Sequence, residues 1–252
     1  MIRILRFADQ LLLTLFLVAA WQLASMKLGS NALPSPLETG RRLSELSQTW
    51  NFWSHVGETA IAVVIAGLLG AIGGAVLGLS LGLSRFASEV ASPVLVAIYA
   101  MPKVVLYPVV LILFGISLSA KVALGILNGF APVVIIAMEA VRHISPSIVR
   151  TGRVFHLSQS DMILRVLLPA TLPEILTGVR IGLALTIVGV LIGEIFASNK
   201  GLGFLLTNAS QLNDNLTVMS LTVFVVMAAM LMNWLVAGVS VVMGYGDHKV
   251  TR

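Results

Sequence analysis

Residues 59–84 read TAIAVVIAGLLGAIGGAVLGLSLGLS, a long and largely apolar run. It is longer than the roughly 20 residues that a helix needs to cross a bilayer, and it contains no charged side chain. Five glycines recur in it at helical spacing, a pattern that lets helix backbones approach closely in lipid: Gly67, Gly70, Gly74, Gly78 and Gly82. The stretch therefore predicts a packed transmembrane helix and not a nucleotide-binding glycine motif.

The whole chain has the composition of a membrane protein. Of its 252 residues, 58% are hydrophobic and 11% are charged, and the mean hydropathy is +0.98. Soluble domains are about 25% charged, so this chain cannot cover a globule with polar surface, and a water-soluble enzyme is excluded. The basic residues are scattered singly, which gives no basis for a nucleic-acid partner. Without cysteine there is no disulfide framework and no thiolate metal site.

Six apolar segments, separated by polar residues, predict an all-α integral membrane protein with one domain over residues 1–252. The predicted spans cover about residues 7–27, 57–84, 88–116, 119–141, 171–198 and 215–245. The first segment resembles a signal peptide, but its apolar run continues through Trp21 and Leu23, which favours an uncleaved anchor.

The distribution of basic residues predicts the orientation. With six spans, ten Lys and Arg residues fall on the side of the termini and five on the other side, while Lys103 lies inside a span. Cytoplasmic loops carry the excess of positive charge, so both termini are expected in the cytoplasm. The longest cytoplasmic segment then lies between the fourth and fifth spans.

Catalytic machinery is missing from the sequence. The four histidines lie outside the predicted spans, so no metal site or intramembrane histidine relay is expected. No lysine follows a glycine anywhere, which excludes a Walker-type phosphate loop. If the protein uses ATP, a different chain must hydrolyse it.

Charged and proline residues inside the spans are candidates for a substrate pathway. Lys103 follows Pro102, and Pro102 and Pro108 interrupt the third span. Glu194 lies near the outer end of the fifth span. Burying a charge in hydrocarbon costs about 3 kcal/mol or more, so Lys103, Pro102 and Glu194 are predicted to line the pathway. The alternatives are that Lys103 extends to the interface and that Glu194 reaches interfacial water.

The segment from about 147 to 168 has an amphipathic helical pattern with a polar break at residues 156–161. Ser158 and Asp161 have the spacing of a capping box, which predicts the start of a second short helix that Pro169 then stops. Two short helices joined at a bend are suited to docking in a groove of a cytoplasmic partner. A hairpin lying on the membrane surface is the alternative.

A family resemblance rests on several quoted motifs. The run RVLLPATLP at 165–173, followed by ILTGVRIGLA at 175–184, resembles the coupling segment of binding-protein-dependent ABC importer permeases. Further similar stretches are LPSP at 33–36, GLSLGLSR at 78–85, MPKVVLYP at 101–108, FGI at 114–116 and GLGF at 201–204. Together they resemble the nitrate, sulfonate and taurine branch of these permeases.

The match also contains two departures. Counting back from Leu168-Pro169 places Arg150-Thr151-Gly152 at the family's Glu-Ala-Ala triplet and His156 at its glycine. Histidine is among the few residues that tolerate a positive φ at such a bend. The resemblance assigns the coupling to the ATPase to nine residues: Arg150, Thr151, Gly152, Arg153, Phe155, His156, Leu157, Ser158 and Asp161.

The resemblance implies a type I importer in the bacterial inner membrane. Its partners would be a second permease copy, two cytoplasmic ATP-binding subunits that hold ATP and Mg²⁺, and an extracytoplasmic solute-binding protein, with no cofactor bound by this chain. The solute would be a small anion of the sulfonate, taurine or nitrate type. Alternatives are another small metabolite such as a vitamin precursor, an ATP-independent secondary transporter, or a sensor with the permease fold.

Overall fold

The computed structural model describes residues 2–240; within this range the side chains of 2–8, 10, 11, 153, 197, 239 and 240 are left undescribed. Eleven α-helices follow one another along this range: α1 (Ile2–Leu28), α2 (Pro36–Ser47), α3 (Trp50–Gly82), α4 (Arg85–Ala100), α5 (Tyr107–Phe114), α6 (Leu118–Arg142), α7 (Pro146–Val154), α8 (Gln159–Asp161), α9 (Leu168–Ala197), α10 (Leu202–Gln211) and α11 (Asn215–Ser240). Residues 2–240 contain no strand, which confirms the predicted all-α fold class.

Several of these helices are long and apolar enough to cross a membrane. Four qualify singly, Trp50–Gly82, Leu118–Arg142, Gln159–Phe196 and Asn215–Gly238, and the bent pair of α4 with Lys103–Phe114 makes a fifth. In α1 the shorter apolar part is Leu12–Leu28. The count of six spans therefore stays a prediction, and the end of the sixth predicted span, residues 241–245, lies outside the described residues.

Three helices, α3, α6 and α9, form the centre of the bundle, and glycines bring their backbones together. A Cβ on Gly78 of α3 would lie 2.5 Å from the carbonyl oxygen of Val134 and 2.7 Å from the Cβ of Ala137, both on α6. A Cβ on Gly182 of α9 would lie 2.8 Å from the carbonyl oxygen of Gly129 on α6. A Cβ would lie 2.8 Å or less from an atom of α6 or α9 at four of the five ridge glycines, Gly67, Gly74, Gly78 and Gly82. These four form a packing surface, as the sequence predicts, whereas a Cβ on Gly70 would meet nothing within 4 Å.

The helices α2 and α10 lie at one end of this bundle, which we call the α2–α10 end. A capping box begins α2, because the Ser35 side chain accepts from the Glu38 N–H while the Glu38 carboxylate accepts from the Ser35 N–H. The Glu38 carboxylate accepts from the Ser35 N–H at 2.9 Å and from the Ser35 hydroxyl at 2.8 Å, and these two bonds, the backbone one first, lower the pKa of Glu38. On its other face α2 contacts α11, where Ser220 Oγ donates to the carbonyl oxygen of Thr39 at 3.1 Å.

An ionic contact between α2 and the beginning of α11 reinforces this end. Arg42 Nε donates to Thr217 Oγ1 at 3.0 Å, and Arg42 Nη2 lies 3.8 Å from Asp214 Oδ2. Burial raises the pKa of Asp214, but the hydrogen bonds from Thr217 and the charge of Arg42 outweigh it, so the pKa lies below its usual range. The short helix α2 is therefore tied to the bundle by polar contacts.

The opposite end, which we call the α7 end, carries the predicted docking segment and departs from the prediction at Pro169. The sequence analysis expects the helix that starts after Ser158 to stop there, and this is wrong. A π-helical turn, Met162–Leu167, joins α8 to α9, and the helix runs without interruption from Gln159 to Phe196. Pro169 lies just after this π-helical turn, which departs from the regular i→i−4 hydrogen-bond pattern, so its missing N–H disturbs the helix less than it would inside a regular α-helix.

Candidate functional site

The docking segment folds as a helical hairpin at the α7 end. Its first arm is α7, and a sharp bend follows at His156, whose φ is +50°. The second arm begins at Ser158, whose side chain accepts from the Asp161 N–H at 3.1 Å and donates to Asp161 Oδ2 at 2.7 Å. Both local predictions, the positive φ at His156 and the cap at Ser158, are confirmed.

The two arms pack against each other at Gly152. A Cβ on this buried residue would lie 2.8 Å from the Met162 sulfur, so only glycine fits without a shift of the thioether. The Leu157 N–H donates to the carbonyl oxygen of Gly152 at 3.2 Å, which closes the bend. Gly152 and half-buried Leu157 therefore hold the hairpin together and face away from solvent.

The other side of the hairpin is exposed. Arg150 and Thr151 are exposed, and Thr151 Oγ1 donates to the carbonyl oxygen of Ser147 at 3.0 Å. Val154 and Phe155 are 75% and 73% exposed, large values for apolar residues at the tip of an ordered element. His156 and Ser158 are exposed as well. An apolar tip of this kind has the features of a docking surface.

The remaining predicted coupling residues add one ion pair. Asp161 Oδ1 lies 2.9 Å from Arg165 Nε, one helical turn further along. The backbone of Arg153 lies in α7, and its side chain is outside the described part of the structure. The hairpin therefore brings all nine predicted coupling residues into one segment, while their role in coupling stays a prediction.

A cavity of about 510 Å³ lies beside the hairpin, between the end of α6, the beginning of α7 and α9. Its polar lining includes Glu139, His143 and Glu174, and Glu139 Oε1 accepts from Arg142 Nη1 at 3.0 Å. In the described part of the chain no group of three or more His, Asp or Glu residues could hold a metal ion. The cavity separates part of α7 from α6 and α9.

Lys103 lies at the break in the third predicted span. After α4 ends at Ala100, the 3₁₀ turn Lys103–Leu106 leads into α5, and the two halves of the span are bent by 84°. Lys103 is half-buried; its Nζ donates to the carbonyl oxygen of Tyr99 at 2.6 Å and lies 5.1 Å from the centroid of the Tyr99 ring. The lysine therefore covers the carboxyl end of α4. Pro102 is exposed at the bend.

Glu194 lies at the opposite end from the hairpin, in a polar cluster at the α2–α10 end. Its side chain is completely buried. Thr59 Oγ1 of α3 lies 2.9 Å from both of its carboxylate oxygens, and the Gly203 N–H donates to Glu194 Oε2 at 2.9 Å. A carboxylate at the first turn of α10 matches the positive end of that helix dipole.

Lys121 completes this cluster from α6. Its side chain is 3% exposed; Nζ donates to Glu58 Oε1 at 3.0 Å and to the carbonyl oxygen of Lys200 at 2.9 Å, and it lies 3.9 Å from Glu194 Oε1. We call Glu58, Thr59, Lys121 and Glu194 the buried ionic cluster. It ties three spans to the loop before α10.

Histidine extends the buried ionic cluster at its edge. The sequence analysis places His55 outside the spans, but α3 begins at Trp50 and buries this side chain. Its Nδ1 accepts a hydrogen bond from the Gly201 N–H at 3.0 Å, and its ring stacks on Phe204. Gly201 itself has a φ of +118°, and a Cβ there would collide with the Glu194 carboxylate.

The three predicted pathway residues do not contact one another through polar groups, and their place in a pathway stays a prediction. Among the described residues no hydrogen bond or ion pair joins Lys103 to Glu194, and each is satisfied by different protein groups. Lys121 lies at the edge of the predicted span 119–141, was counted among the five basic residues on the side opposite the termini, and was not predicted as a site residue. The available signal was its position one turn inside an apolar helix, where an unpaired lysine is costly.

Comparison with known proteins identifies relatives over most of the chain. Residues 70–245 match the family described as binding-protein-dependent transport system inner membrane component. The putative aliphatic sulfonates transport permease protein SsuC of Escherichia coli (strain K12) is 34% identical over 197 residues, which are 77% of this chain and 75% of the relative. The formylaminopyrimidine transport permease protein ThiX of Halalkalibacterium halodurans is 30% identical over 191 residues, 75% of this chain and 76% of the relative.

A solved structure supports the fold. The inward-facing MetNI methionine ABC transporter aligns with a TM-score of 0.68 at 19% identity, covering 77% of this chain and 96% of the other. At this identity the alignment shows a common fold alone. The resemblance read from the sequence motifs is confirmed by the family match. Because that match covers well over half of the residues, the chain belongs to the inner membrane components of binding-protein-dependent transport systems.

Proposed function

We propose that this chain is the membrane-spanning permease subunit of an ATP-driven importer, and that the hairpin at the α7 end transmits the movement of a separate ATPase. The observation that carries the proposal is the exposed apolar tip at Val154 and Phe155. This tip is ordered by the Gly152 contact and the Ser158 cap, so it is presented in a fixed shape. An ordered protruding corner is suited to a recess in a folded partner.

ATP and Mg²⁺ are assigned to the partner ATPase in this proposal. The chain has no Gly-Lys dipeptide and hence no Walker-type phosphate loop. Two copies of the permease, two ATPase subunits and an extracytoplasmic solute-binding protein would form the working importer. Family membership supports a binding-protein-dependent system, whereas the pairing of two identical permeases is part of the proposal.

The proposed solute is a small anion of the sulfonate, taurine or nitrate type. One support is the relative whose name refers to aliphatic sulfonates. Another is Lys103, which lies at the broken span and whose positive charge attracts anions over several ångströms. A small metabolite such as a vitamin precursor is the second candidate. Its support is the relative whose name refers to formylaminopyrimidine, which is similar over 75% of this chain. Binding of candidate solutes to the cognate binding protein would separate the two.

The proposed orientation has both termini and the hairpin in the cytoplasm, in agreement with the ten-to-five split of basic residues. The chain has no cysteine, so a single cysteine can be placed by Ser158→Cys. A membrane-impermeant maleimide added to intact cells should leave this cysteine unlabelled and should label it after permeabilisation. Labelling in intact cells would overturn the orientation.

Photo-crosslinking tests the docking role directly. A photoreactive amino acid in place of Phe155 should capture the ATPase in the assembled importer. The matched control is Leu37, an 82% exposed apolar residue on α2 at the opposite end, from which no ATPase should be captured. Capture of lipid alone from Phe155, with ATP-driven uptake intact, would contradict the proposal and favour a hairpin on the membrane surface.

A further inference from the structure

Arg150 of α7 is a cation for which the described chain provides no ion-pair partner. We infer that the surface of the ATPase that receives the hairpin is an apolar recess bordered by a carboxylate that pairs with Arg150. This inference rests on the proposed docking role of the hairpin and adds the chemistry of the partner surface.

The other described basic side chains near the hairpin already have partners. Arg142 Nη1 lies 3.0 Å from Glu139 Oε1, and Arg165 Nε lies 2.9 Å from Asp161 Oδ1. In contrast, α7 itself, with the sequence PSIVRTGRV, contains no acidic residue. No ion pair of Arg150 occurs among the described residues, and its side chain is exposed. Arg150 therefore has no ion pair among the described residues, and its guanidinium is hydrated unless a partner covers it.

Arg150 shares its face with the apolar tip. Residues 150 and 154 are one helical turn apart, so Arg150 and Val154 project from the same side of α7. Phe155 is the next residue after the end of α7. The opposite side of α7 carries Gly152 against Met162. Among the described side chains, the face that would enter a partner presents Arg150 next to two large apolar side chains, Val154 and Phe155.

Docking of this face removes Arg150 from water. A cation buried without a partner is strongly destabilising, whereas a carboxylate at hydrogen-bond distance compensates the loss of hydration. A recess that accepts Val154 and Phe155 must therefore also contain or border an acidic group. Fork-shaped guanidinium groups bind carboxylates through two parallel hydrogen bonds, which would fix the register of the hairpin in the recess.

A bilayer surface is the competing receiver, because a basic and apolar strip also binds anionic lipid. The shape of the hairpin favours a protein. His156 and Ser158 are exposed at the same corner as Phe155, and the His156 backbone is in the left-handed region, so the segment presents a protruding corner and not a flat apolar face. A corner of this shape fits a recess.

The test is the affinity of the purified ATPase for the permease in neutral detergent without anionic lipid, measured for three substitutions. We expect Arg150→Glu to weaken binding about tenfold or more through like-charge contact, Arg150→Gln to weaken it less, and Arg150→Lys to remain near wild type. Raising the salt concentration should weaken wild-type binding more than that of Arg150→Gln. The charge-reversal control is Arg41→Glu on exposed α2, which should have no effect.

Each contrary result has a distinct meaning. Unchanged or tighter binding of Arg150→Glu, while Phe155→Ala weakens binding, would overturn the acidic recess and leave the docking role standing. Unchanged binding of Phe155→Ala and of every Arg150 variant would overturn the docking role itself. If Arg150→Glu alters only binding to vesicles of phosphatidylethanolamine and phosphatidylglycerol, the receiver is lipid and the inference is wrong.

Discussion

The carboxylate of Glu194 accepts a hydrogen bond from the backbone N–H of Gly203 at 2.9 Å, so the end of α9 caps the beginning of α10. The same carboxylate is bonded to Thr59 of α3 and lies 3.9 Å from the ammonium group of Lys121 on α6. One buried side chain thus fixes a short helix relative to three spans. The α2–α10 end is held by these polar contacts, whereas the hairpin at the α7 end borders a cavity.

Removing the Glu194 carboxylate is expected to lower stability. Glu194→Ala should reduce the free energy of unfolding by about 3 kcal/mol, because buried Lys121 loses one of its counterions and the Gly203 N–H loses its acceptor. Thermal unfolding in detergent measures the change. Glu89→Ala is the control, since the Arg85–Glu89 pair is exposed and should contribute less than about 1 kcal/mol.

The same variant decides between two roles for Glu194. If Glu194→Ala unfolds at the wild-type temperature but loses substrate uptake, the carboxylate acts on the solute, as the sequence analysis predicts, and the structural account is wrong. If stability and uptake fall together, the buried ionic cluster is structural.

The glycine ridge offers a matched pair of substitutions. Gly78→Ala should lower stability by about 1–3 kcal/mol, because the new Cβ meets Val134 and Ala137 of α6 and the helices must separate. Gly70→Ala lies on the same helix and meets no atom within 4 Å, so it should be neutral or slightly stabilising. Equal unfolding temperatures for the two variants would contradict the close approach of α3 and α6.

The bend of the hairpin can be tested at His156. His156→Gly should retain or increase ATPase binding, because glycine adopts a φ of +50° at no steric cost. His156→Val should weaken binding, since a β-branched residue is strongly disfavoured in this region. His156→Asn removes the ring but tolerates the conformation and serves as control. Equal binding of the valine and glycine variants would show that the bend adopts another shape in the complex.

Lys103 is predicted to act on the solute. Lys103→Ala should retain assembly and basal ATP hydrolysis but lose most uptake, while Lys103→Arg should retain part of it, because a cation is needed to attract an anion. Uptake and hydrolysis are measured in proteoliposomes with the ATPase and binding protein. Wild-type uptake would remove Lys103 from the pathway, and parallel loss of assembly would limit it to covering the Tyr99 carbonyl at the end of α4.

Local features of the fold were predictable because they depend on residues within a few positions. The Ser158 cap and the positive φ at His156 both follow from neighbouring residues. The break in the third predicted span follows from Pro102 and Pro108. The glycine ridge follows from the helical spacing of the glycines in α3. In each case residues close together in the sequence produce both the pattern and the local structure.

The buried ionic cluster was not predictable, because its contacts join residues far apart in the chain. Lys121 and Glu58 are 63 positions apart, and Thr59 and Glu194 are 135 apart. Local hydropathy therefore placed Lys121 at the edge of the span 119–141 and gave no sign of its distant partners. The continuation of the helix past Pro169 was missed for a different reason, since a π-helical turn that accommodates a proline has no simple sequence pattern.

On the proposed function, this chain moves a solute only with ATP that another protein hydrolyses. The most direct measurement is uptake of a labelled small sulfonate into proteoliposomes that contain the permease, its ATPase and its solute-binding protein. We expect uptake that requires ATP and all three proteins. A hairpin variant such as Phe155→Ala should lose this uptake. Uptake by the permease alone, driven by a proton or sodium gradient without ATP, would contradict it.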